Sequence, residues 1–188
     1  MAARPLSHAI KHYTYEDYLK FDDDIRRELI DGVIYNMAAP NIAHQRVIGR
    51  LFNEIYNLLK GKPCEVFASP VDVRLAAHKF DDTVVQPDIL VLCDKNKIDP
   101  KGQSIIGAPD MIIEVLSPSS VSMDKVKKHK KYLEAGVKEY WKVDPINKTV
   151  SVNLLENEKY YTWEYGDDNI VPSQTLPGLE INLAELWE

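Results

Sequence analysis

The sequence lacks the features that mark several specialised classes of protein. No apolar run approaches the ~20 residues that a membrane-spanning helix requires, and the first residues lack the apolar stretch of a signal peptide. We therefore expect a cytoplasmic protein with no membrane partner. No internal repeat and no linker rich in proline, glycine or serine divides the 188 residues. The simplest expectation is one domain over residues 1–188, in which residues 1–12 form a flexible N-terminal extension.

Cysteine and excess positive charge are also scarce. Cys64 and Cys93 are isolated and have no CxxC spacing, so we expect them to be reduced thiols. The formal net charge of −6 argues against a protein that coats nucleic acid without specificity. A local basic surface remains compatible with this charge, and lysines concentrate in one segment at Lys125, Lys127, Lys128, Lys130 and Lys131. On charge alone, a solvated helix face is the favoured explanation of these lysines.

The order of helical and strand-like segments indicates a mixed α/β (α+β) domain around a sheet. Asn41 is expected to cap a long helix from about residue 43 to residue 59, whose apolar residues fall at helical spacing. Asp31-Gly32 between two apolar runs predicts a tight hairpin. The lysine-rich segment is expected to be a helix that ends at Gly136. The predicted strands span residues 65–69, 71–75, 84–92, 111–116, 140–144, 150–155 and 160–163.

Two carboxylates in strand-like surroundings are the main candidates for chemistry. Asp88 follows Pro87, which cannot donate a hydrogen bond to a strand ladder. Glu114 interrupts an apolar strand, where an unpaired buried charge is costly. If the strands that carry them are neighbours, Asp88 and Glu114 converge on a cation. Magnesium fits, because it binds oxygen ligands and takes one or two carboxylates. The alternative is that each residue is an ordinary surface carboxylate.

Pro109-Asp110 is a second Pro-Asp dipeptide and serves as a control. Asp110 lies four residues before Glu114 on what we expect to be the same strand. At the rise of a β-strand, the two residues stand ~13 Å apart, too far to share one ion. We therefore expect Asp110 to be a turn residue outside any metal site.

A helical stripe and two further residues complete the candidates. Asp124, Lys128 and Tyr132 recur every fourth residue, so they share one face of a helix. Lys128 flanks the apolar face and is long enough to reach towards the sheet, although a surface pair with Asp124 is the simpler alternative. Glu28 precedes the predicted hairpin turn, and His44 lies near the start of the long helix. A lone histidine such as His44 is more often a structural residue.

In this order, the motifs resemble the Uma-two family of restriction-endonuclease-like proteins, within the PD-(D/E)XK nuclease superfamily. The resemblance runs from about Tyr13 to the C-terminus. The motifs that carry it are Glu28-Leu29-Ile30-Asp31-Gly32, His44, Gln86-Pro87-Asp88, Ile113-Glu114-Val115-Leu116-Ser117-Pro118-Ser119, the spaced Asp124, Lys128 and Tyr132, and Gly136-Val137-Lys138-Glu139-Tyr140-Trp141. It implies a restriction-endonuclease-like core, which is a mixed β-sheet flanked by helices, with additional β-hairpins.

The resemblance also implies roles for individual residues. The implied catalytic residues are Glu28, Asp88, Glu114 and Lys128. The implied ligands of Mg²⁺, for which Mn²⁺ is a substitute, are Asp88, Glu114 and the carbonyl of Val115. The expected substrate contacts are His44, Lys125 and Tyr132. The usual motif lysine of the superfamily falls at Leu116 in this sequence, and the resemblance transfers its role to Lys128.

These residues predict a Mg²⁺-dependent endodeoxyribonuclease that hydrolyses DNA phosphodiester bonds. DNA is the expected partner, and we expect a homodimer because cutting both strands needs two sites. The alternative is a catalytically inactive nuclease-fold module that binds nucleic acid or a partner protein, which Leu116 and the net acidity favour. A purely structural domain would explain the fold but not a glutamate inside an apolar strand.

Overall fold

The computed structural model describes residues 11–75, 81–117 and 124–188. Most of the N-terminal extension expected at residues 1–12 lies outside these ranges. The side chains of Asp124 and Lys125 also lie outside the description, so their predicted places in the site stay predictions. Among the helices within these ranges, none combines the length and the apolar character needed to cross a membrane.

The first elements follow from short-range capping and turn signals. Helix α1 (Tyr15–Tyr18) begins with a capping box, in which Thr14 and Asp17 exchange side-chain and backbone hydrogen bonds. Strands β1 (Arg27–Ile30) and β2 (Val33–Asn36) form an antiparallel hairpin. The turn residues Asp31 and Gly32 have φ angles of 50° and 73°, as the tight two-residue turn of such hairpins requires. The predicted hairpin is therefore confirmed.

The long helix α2 (Ile42–Leu59) begins where its cap predicts. The side chain of Asn41 accepts a hydrogen bond of 2.9 Å from the backbone N–H of His44. One face of α2 is buried and consists of His44, Val47, Ile48, Leu51, Ile55 and Leu59. This face contacts the larger sheet, which explains why its apolar residues recur at helical spacing.

Eleven further strands are described after α2: β3 (Glu65–Ala68), β4 (Asp72–Arg74), β5 (Val84–Val85), β6 (Ile89–Leu92), β7 (Ser104–Ile106), β8 (Met111–Val115), β9 (Glu139–Asp144), β10 (Thr149–Glu156), β11 (Lys159–Gly166), β12 (Ile170–Pro172) and β13 (Glu180–Asn182). The helical segments are a 3₁₀ turn (Lys95–Lys97), a π-helical turn (Asp124–Lys128), α3 (His129–Ala135) and α4 (Leu183–Leu186). Gly136 ends α3 in the left-handed conformation, as predicted.

The strands form two main sheets. The six-stranded sheet has the order β11-β10-β9-β8-β6-β3, and the five-stranded sheet has the order β2-β1-β5-β4-β7. In the larger sheet, β8 pairs antiparallel with β6 and parallel with β9. A separate two-stranded sheet joins β12 and β13 near the C-terminus.

The prediction of one continuous strand over residues 84–92 is wrong. Its first part is β5, which pairs with β1 and β4, and its last part is β6, which pairs with β3 and β8. Gln86-Pro87-Asp88 links them and carries the chain from one sheet to the other. Pro87 has no N–H to donate to a ladder, so the strand is interrupted at this dipeptide. The change of sheet places Asp88 at the junction instead of within a continuous ladder.

Two apolar cores lie on opposite faces of the six-stranded sheet. One contains Ile113 and Val115 with the buried face of α2. The other contains Ile112 and Leu90 together with residues of α3 and of the five-stranded sheet. Because successive residues of a strand point to opposite faces, Glu114 lies on the face of Ile112. Glu114 is therefore directed to the space between the two sheets.

Cys64 and Cys93 form a disulfide, so the expectation of two reduced thiols is wrong. Cys64 directly precedes β3, and Cys93 directly follows β6. The antiparallel register of these strands pairs Glu65 with Leu92. Cys64 and Cys93, the next residue on each strand, therefore lie opposite each other. The sequence separation of 29 residues hides this proximity.

Candidate active site

A cavity of about 270 Å³ lies where the β1–β2 hairpin meets the junction before β6 and the end of β8. Side chains of both charges line it: Arg26, Glu28, His44, Asp88, Glu114 and Lys128. Glu28 and Glu114 come from the two sheets, His44 from α2 and Lys128 from the π-helical turn before α3. Arg26 directly precedes β1, and Asp88 directly precedes β6. The structure thus brings together residues that are spread over about half of the chain.

Lys128 lies between two carboxylates. Its Nζ is 2.8 Å from Oε1 of Glu28 and 3.0 Å from Oε1 of Glu114. The three residues are 2%, 5% and 4% exposed, so their charges are buried together. Buried charges are tolerated when they are paired and hydrogen-bonded, which this arrangement provides. Leu116, where the superfamily resemblance places a lysine, is a buried apolar residue.

Tyr132 supports Glu114 from behind. Its hydroxyl donates a hydrogen bond of 2.5 Å to the same Oε1 atom that Lys128 contacts. Tyr132 is fully buried, and its ring packs edge-on against Tyr140. Burial, followed by the charges of Glu114 and Glu28, raises the pKa of Tyr132 well above its usual value, so the hydroxyl stays a donor. These contacts place Tyr132 behind the carboxylate, and it is not among the residues that line the cavity. The expected contact of Tyr132 with substrate stays a prediction.

Asp88 is held from two sides. Its Oδ2 accepts a hydrogen bond of 2.8 Å from the backbone N–H of Val115 and lies 3.2 Å from Nε2 of His44. Burial lowers the pKa of His44, but its hydrogen bond to Asp88, the charge of Asp88 and the carbonyl of Val115 outweigh burial and raise it. His44 therefore contacts a candidate metal ligand, and its position at the start of α2 depends on the Asn41 cap.

Two residues of this site were not predicted from the sequence. Gln86 donates its backbone N–H to Oε1 of Glu28 over 2.8 Å, and its side chain accepts a hydrogen bond from Nε of Arg26 over 3.1 Å. Arg26 directly precedes β1, Glu28 and Ile30 follow it at every second residue, and all three line the cavity. This period of two was a usable signal, because alternate residues of a strand share a face.

Asp110 lies outside the cavity, as its spacing from Glu114 predicts. Its Oδ2 accepts the backbone N–H of Cys93 at 2.8 Å, and its Oδ1 accepts from Nζ of Lys138 at 2.6 Å. These bonds tie the start of β8 to the end of β6 and to the segment before β9. Asp110 is therefore a buried structural residue.

The oxygen atoms along the cavity suit a hard divalent cation. Asp88, Glu114 and Val115 line the same space, and Mg²⁺ needs only one or two carboxylates because water and phosphate oxygens complete its coordination. Within residues 11–75, 81–117 and 124–188, no three His, Cys, Asp or Glu residues converge closely enough to hold an ion by themselves. The donor set thus fits Mg²⁺ shared with a phosphate better than a closed structural metal site.

The mixed sheets flanked by helices define a restriction-endonuclease-like fold, which confirms the predicted fold class. The chain belongs to the family described as "Uma2: Putative restriction endonuclease", which matches residues 14–184. This match confirms the family resemblance stated from the motifs.

A solved structure and two related sequences are similar to this chain. The structure is the crystal structure of "a putative nuclease belonging to DUF820" from Anabaena variabilis ATCC 29413, with a TM-score of 0.75, 25% identity, and coverage of 93% of this chain and 97% of that chain. The "Uncharacterized protein slr1290" of Synechocystis sp. (strain ATCC 27184 / PCC 6803 / Kazusa) is 28% identical over 168 residues, 88% of this chain and 83% of the relative. The "Uncharacterized protein sll1609" of the same strain is 26% identical over 120 residues, 63% of this chain and 66% of the relative.

Proposed function

We propose that this protein is a Mg²⁺-dependent endodeoxyribonuclease that hydrolyses phosphodiester bonds of DNA. The observation that carries the proposal is the position of the Lys128 ammonium between Glu28 and Glu114, on the wall of a cavity that Asp88 also lines. Membership of a family described as restriction endonucleases and similarity to a structure described as a nuclease support this reaction class.

In this proposal, Lys128 stabilises the negative charge that develops on the phosphate during hydrolysis. An ammonium buried in this way is screened less by water than a surface lysine, so its attraction to a phosphate in the cavity is stronger. Glu28 and Glu114 hold the ammonium, and Tyr132 in turn holds Glu114. The Lys128 ammonium is therefore in place before substrate enters, which is the condition for effective electrostatic stabilisation.

Asp88, Glu114 and the carbonyl of Val115 are the proposed ligands of Mg²⁺. When bound, the ion supplies a Lewis acid that polarises the phosphate and lowers the pKa of water. His44 and the backbone N–H of Val115 both contact Oδ2 of Asp88, so the orientation of this carboxylate is set by the protein. His44 thus acts as a positioning residue for Asp88.

The test is cleavage of supercoiled and linear DNA with Mg²⁺, with Mn²⁺ and with EDTA. We expect nicked or linear products only with a divalent ion, and loss of cleavage in the Glu114→Gln and Lys128→Met variants. Lys130→Met is the matched control, because Lys130 is an exposed lysine in α3, two residues after Lys128. The proposal fails if the folded wild-type protein leaves all duplexes intact, or if Lys128→Met cuts at the wild-type rate.

A module that binds nucleic acid without cutting it is the second candidate. Two observations favour it: Lys128 contacts both glutamates, and the part of the chain that the structure describes holds no cluster of three metal-binding side chains. Calorimetric titration with Mn²⁺ separates the two functions. A nuclease site should bind the ion through Asp88, and Asp88→Ala should abolish the binding. A folded protein that binds DNA but neither Mn²⁺ nor Mg²⁺ supports the module.

We also propose that the protein is a homodimer, because cleavage of both strands requires two active sites and two-fold dimers are the commonest oligomers. Sedimentation analysis at the concentrations used for cleavage tests this proposal. A monomeric mass under conditions that give double-strand breaks would contradict it.

A further inference from the structure

Arg26 carries hydrogen-bond donors that the folded chain does not use. Its Nη2 is buried, and no hydrogen-bond partner for it is present among the described residues. Its Nε donates to Gln86, as described above. A buried guanidinium N–H without an acceptor costs free energy. We therefore expect a ligand to supply the acceptor for Nη2.

The guanidinium of Arg26 is held in place by a chain of fixed partners. Nε2 of Gln86 donates to Oδ1 of Asp72 at 2.9 Å and contacts the Tyr18 hydroxyl at 3.2 Å. Since a carboxylate only accepts and Nε of arginine only donates, the amide of Gln86 has one possible orientation. The backbone of Gln86 also binds Glu28. One residue therefore positions both Arg26 and Glu28 against the cavity.

Arg26 lines the cavity together with His44 and Asp88. In the described part of the chain, no carboxylate forms an ion pair with Arg26. An anion that enters this cavity therefore meets the positively charged guanidinium of Arg26, whose Nη2 can still donate a hydrogen bond.

We propose that Arg26 binds a non-bridging oxygen of a DNA phosphate in this cavity and that Gln86 positions it for this contact. A planar guanidinium matches phosphate geometry and forms charge-assisted hydrogen bonds to its oxygens. This inference rests on the proposed nuclease function, because it names the residue that holds the substrate backbone beside Asp88, Glu114 and Lys128.

The experiment measures binding of a short fluorescein-labelled DNA duplex by anisotropy over a range of NaCl concentrations, in EDTA and again with Ca²⁺. We expect Arg26→Ala to weaken binding about tenfold to hundredfold, the effect of one lost charge-assisted contact. The slope of log K against log salt should also become shallower by about 0.9, the value for one phosphate contact. Arg26→Lys should retain the slope and lose part of the affinity, since it keeps the charge without the planar donors.

Two further variants make the result decisive. Lys159→Ala removes an exposed positive charge from the β10–β11 hairpin, three strands away from β8, and should leave affinity and slope unchanged. Arg26→Gln removes the charge but keeps a long polar side chain, so it should reproduce the loss of slope even if Arg26→Ala does not fold. Circular dichroism checks the fold of each variant.

The outcomes separate the phosphate contact from the proposed function. If wild-type protein binds DNA with the Arg26-dependent slope but does not cleave it with Mg²⁺, the contact is supported and the nuclease proposal fails. If wild-type protein cleaves DNA while folded Arg26→Gln keeps the wild-type affinity and slope, the contact is wrong and the nuclease proposal stands. A wild-type protein that binds no duplex under any condition overturns both.

Discussion

Lys128 and Glu114 meet with Nζ and Oε1 3.0 Å apart, although they are 14 residues apart in sequence and lie on different elements. Glu114 comes from a central strand of the larger sheet, and Lys128 from the π-helical turn that precedes α3. The motif lysine of the superfamily falls at Leu116 in this sequence. Here a lysine from a neighbouring helical segment, Lys128, contacts Glu114 instead. The surface pair of Lys128 with Asp124 is not needed to explain this lysine, since it contacts the buried residues Glu28 and Glu114.

Replacing Lys128 by methionine should destabilise the fold as well as remove cleavage. Glu28 and Glu114 would lose their common cation while remaining buried, and removal of one partner of a buried ion pair costs about 3–5 kcal/mol. Urea denaturation should show this loss in the free energy of unfolding. Lys130→Met should change it by no more than about 0.5 kcal/mol, because that lysine is 71% exposed. Equal stability of the two variants would show that Lys128 is not paired as described.

Removing the Tyr132 hydroxyl should weaken both stability and cleavage. Tyr132→Phe deletes a buried hydrogen bond to a charged group, which is worth about 1.5–3 kcal/mol. The matched control is Tyr160→Phe, whose hydroxyl donates to the backbone carbonyl of Val137 at 2.9 Å. That variant should lose about 1 kcal/mol and keep its cleavage rate. If both variants cut DNA at the wild-type rate, Tyr132 does not position Glu114 for catalysis.

Glu139 tests whether a buried carboxylate in a strand is by itself a sign of catalysis. It is fully buried in β9, and its oxygens accept from Trp141, Ser173 and the backbone N–H groups of Gln174 and Thr175. These neutral donors tie the C-terminal segment to the sheet. Glu139→Gln should therefore lose about 1–3 kcal/mol of stability and keep the cleavage rate of folded protein.

The comparison variant for Glu139 is Glu114→Gln. It should abolish cleavage, because Glu114 lines the cavity and contacts Lys128. Rates are to be compared at a temperature at which both variants are folded by circular dichroism. Loss of cleavage in folded Glu139→Gln would contradict a purely structural role for that residue.

Asp110 should make the fold sensitive to acid. Burial raises the pKa of Asp110. The hydrogen bonds from Lys138 and from the N–H of Cys93, with the charges of Lys138 and Lys97, lower it by more, so the pKa of Asp110 is lowered overall. A lowered pKa in the folded state contributes stability that is complete above the unfolded value of about 3.9 and is lost as pH falls through the folded value. Urea midpoints measured from neutral pH to below pH ~4 should fall less steeply in Asp110→Asn. Lys138→Met should move the loss to higher pH, and an unchanged profile in both variants would contradict the pairing.

The disulfide should make the fold sensitive to reductant. A cross-link between Cys64 and Cys93 closes a loop of about 30 residues, for which the chain-entropy estimate is about 3.5 kcal/mol. Dithiothreitol should lower the unfolding free energy by roughly this amount in wild-type protein and leave a Cys64→Ser/Cys93→Ser variant unaffected. Thiol titration of the native protein checks the bond directly, and two reactive thiols would disprove it.

Local elements could be predicted from the sequence because their signals act over a few residues. Thr14 and Asn41 cap the helices that follow them, and Gly136 ends α3 in the left-handed conformation. Asp31-Gly32 forms the tight turn of the first hairpin. Each of these outcomes depends on hydrogen bonds or dihedral angles within one turn of chain, so no knowledge of the partner elements was needed.

Long-range pairings were the source of the errors. The split of residues 84–92 between two sheets depends on which strands pair with β5 and β6, although Pro87 marked the break. The Cys64–Cys93 bond depends on the register of β3 with β6. Glu139 is buried like Glu114, but its partners are neutral donors and it does not line the cavity.

The sequence by itself determined the chemistry available to the site: a Pro-Asp entry, a glutamate within an apolar strand, a glutamate before a hairpin turn, and lysines in a helical segment. Only the tertiary structure decided that Lys128 lies between Glu28 and Glu114, that His44 contacts Asp88, and that Arg26 faces the same cavity. The physical reason is that distances between side chains on separate elements depend on strand order, register and the packing of one sheet against another. These quantities result from the free energy of the whole chain, and no local pattern of residues encodes them.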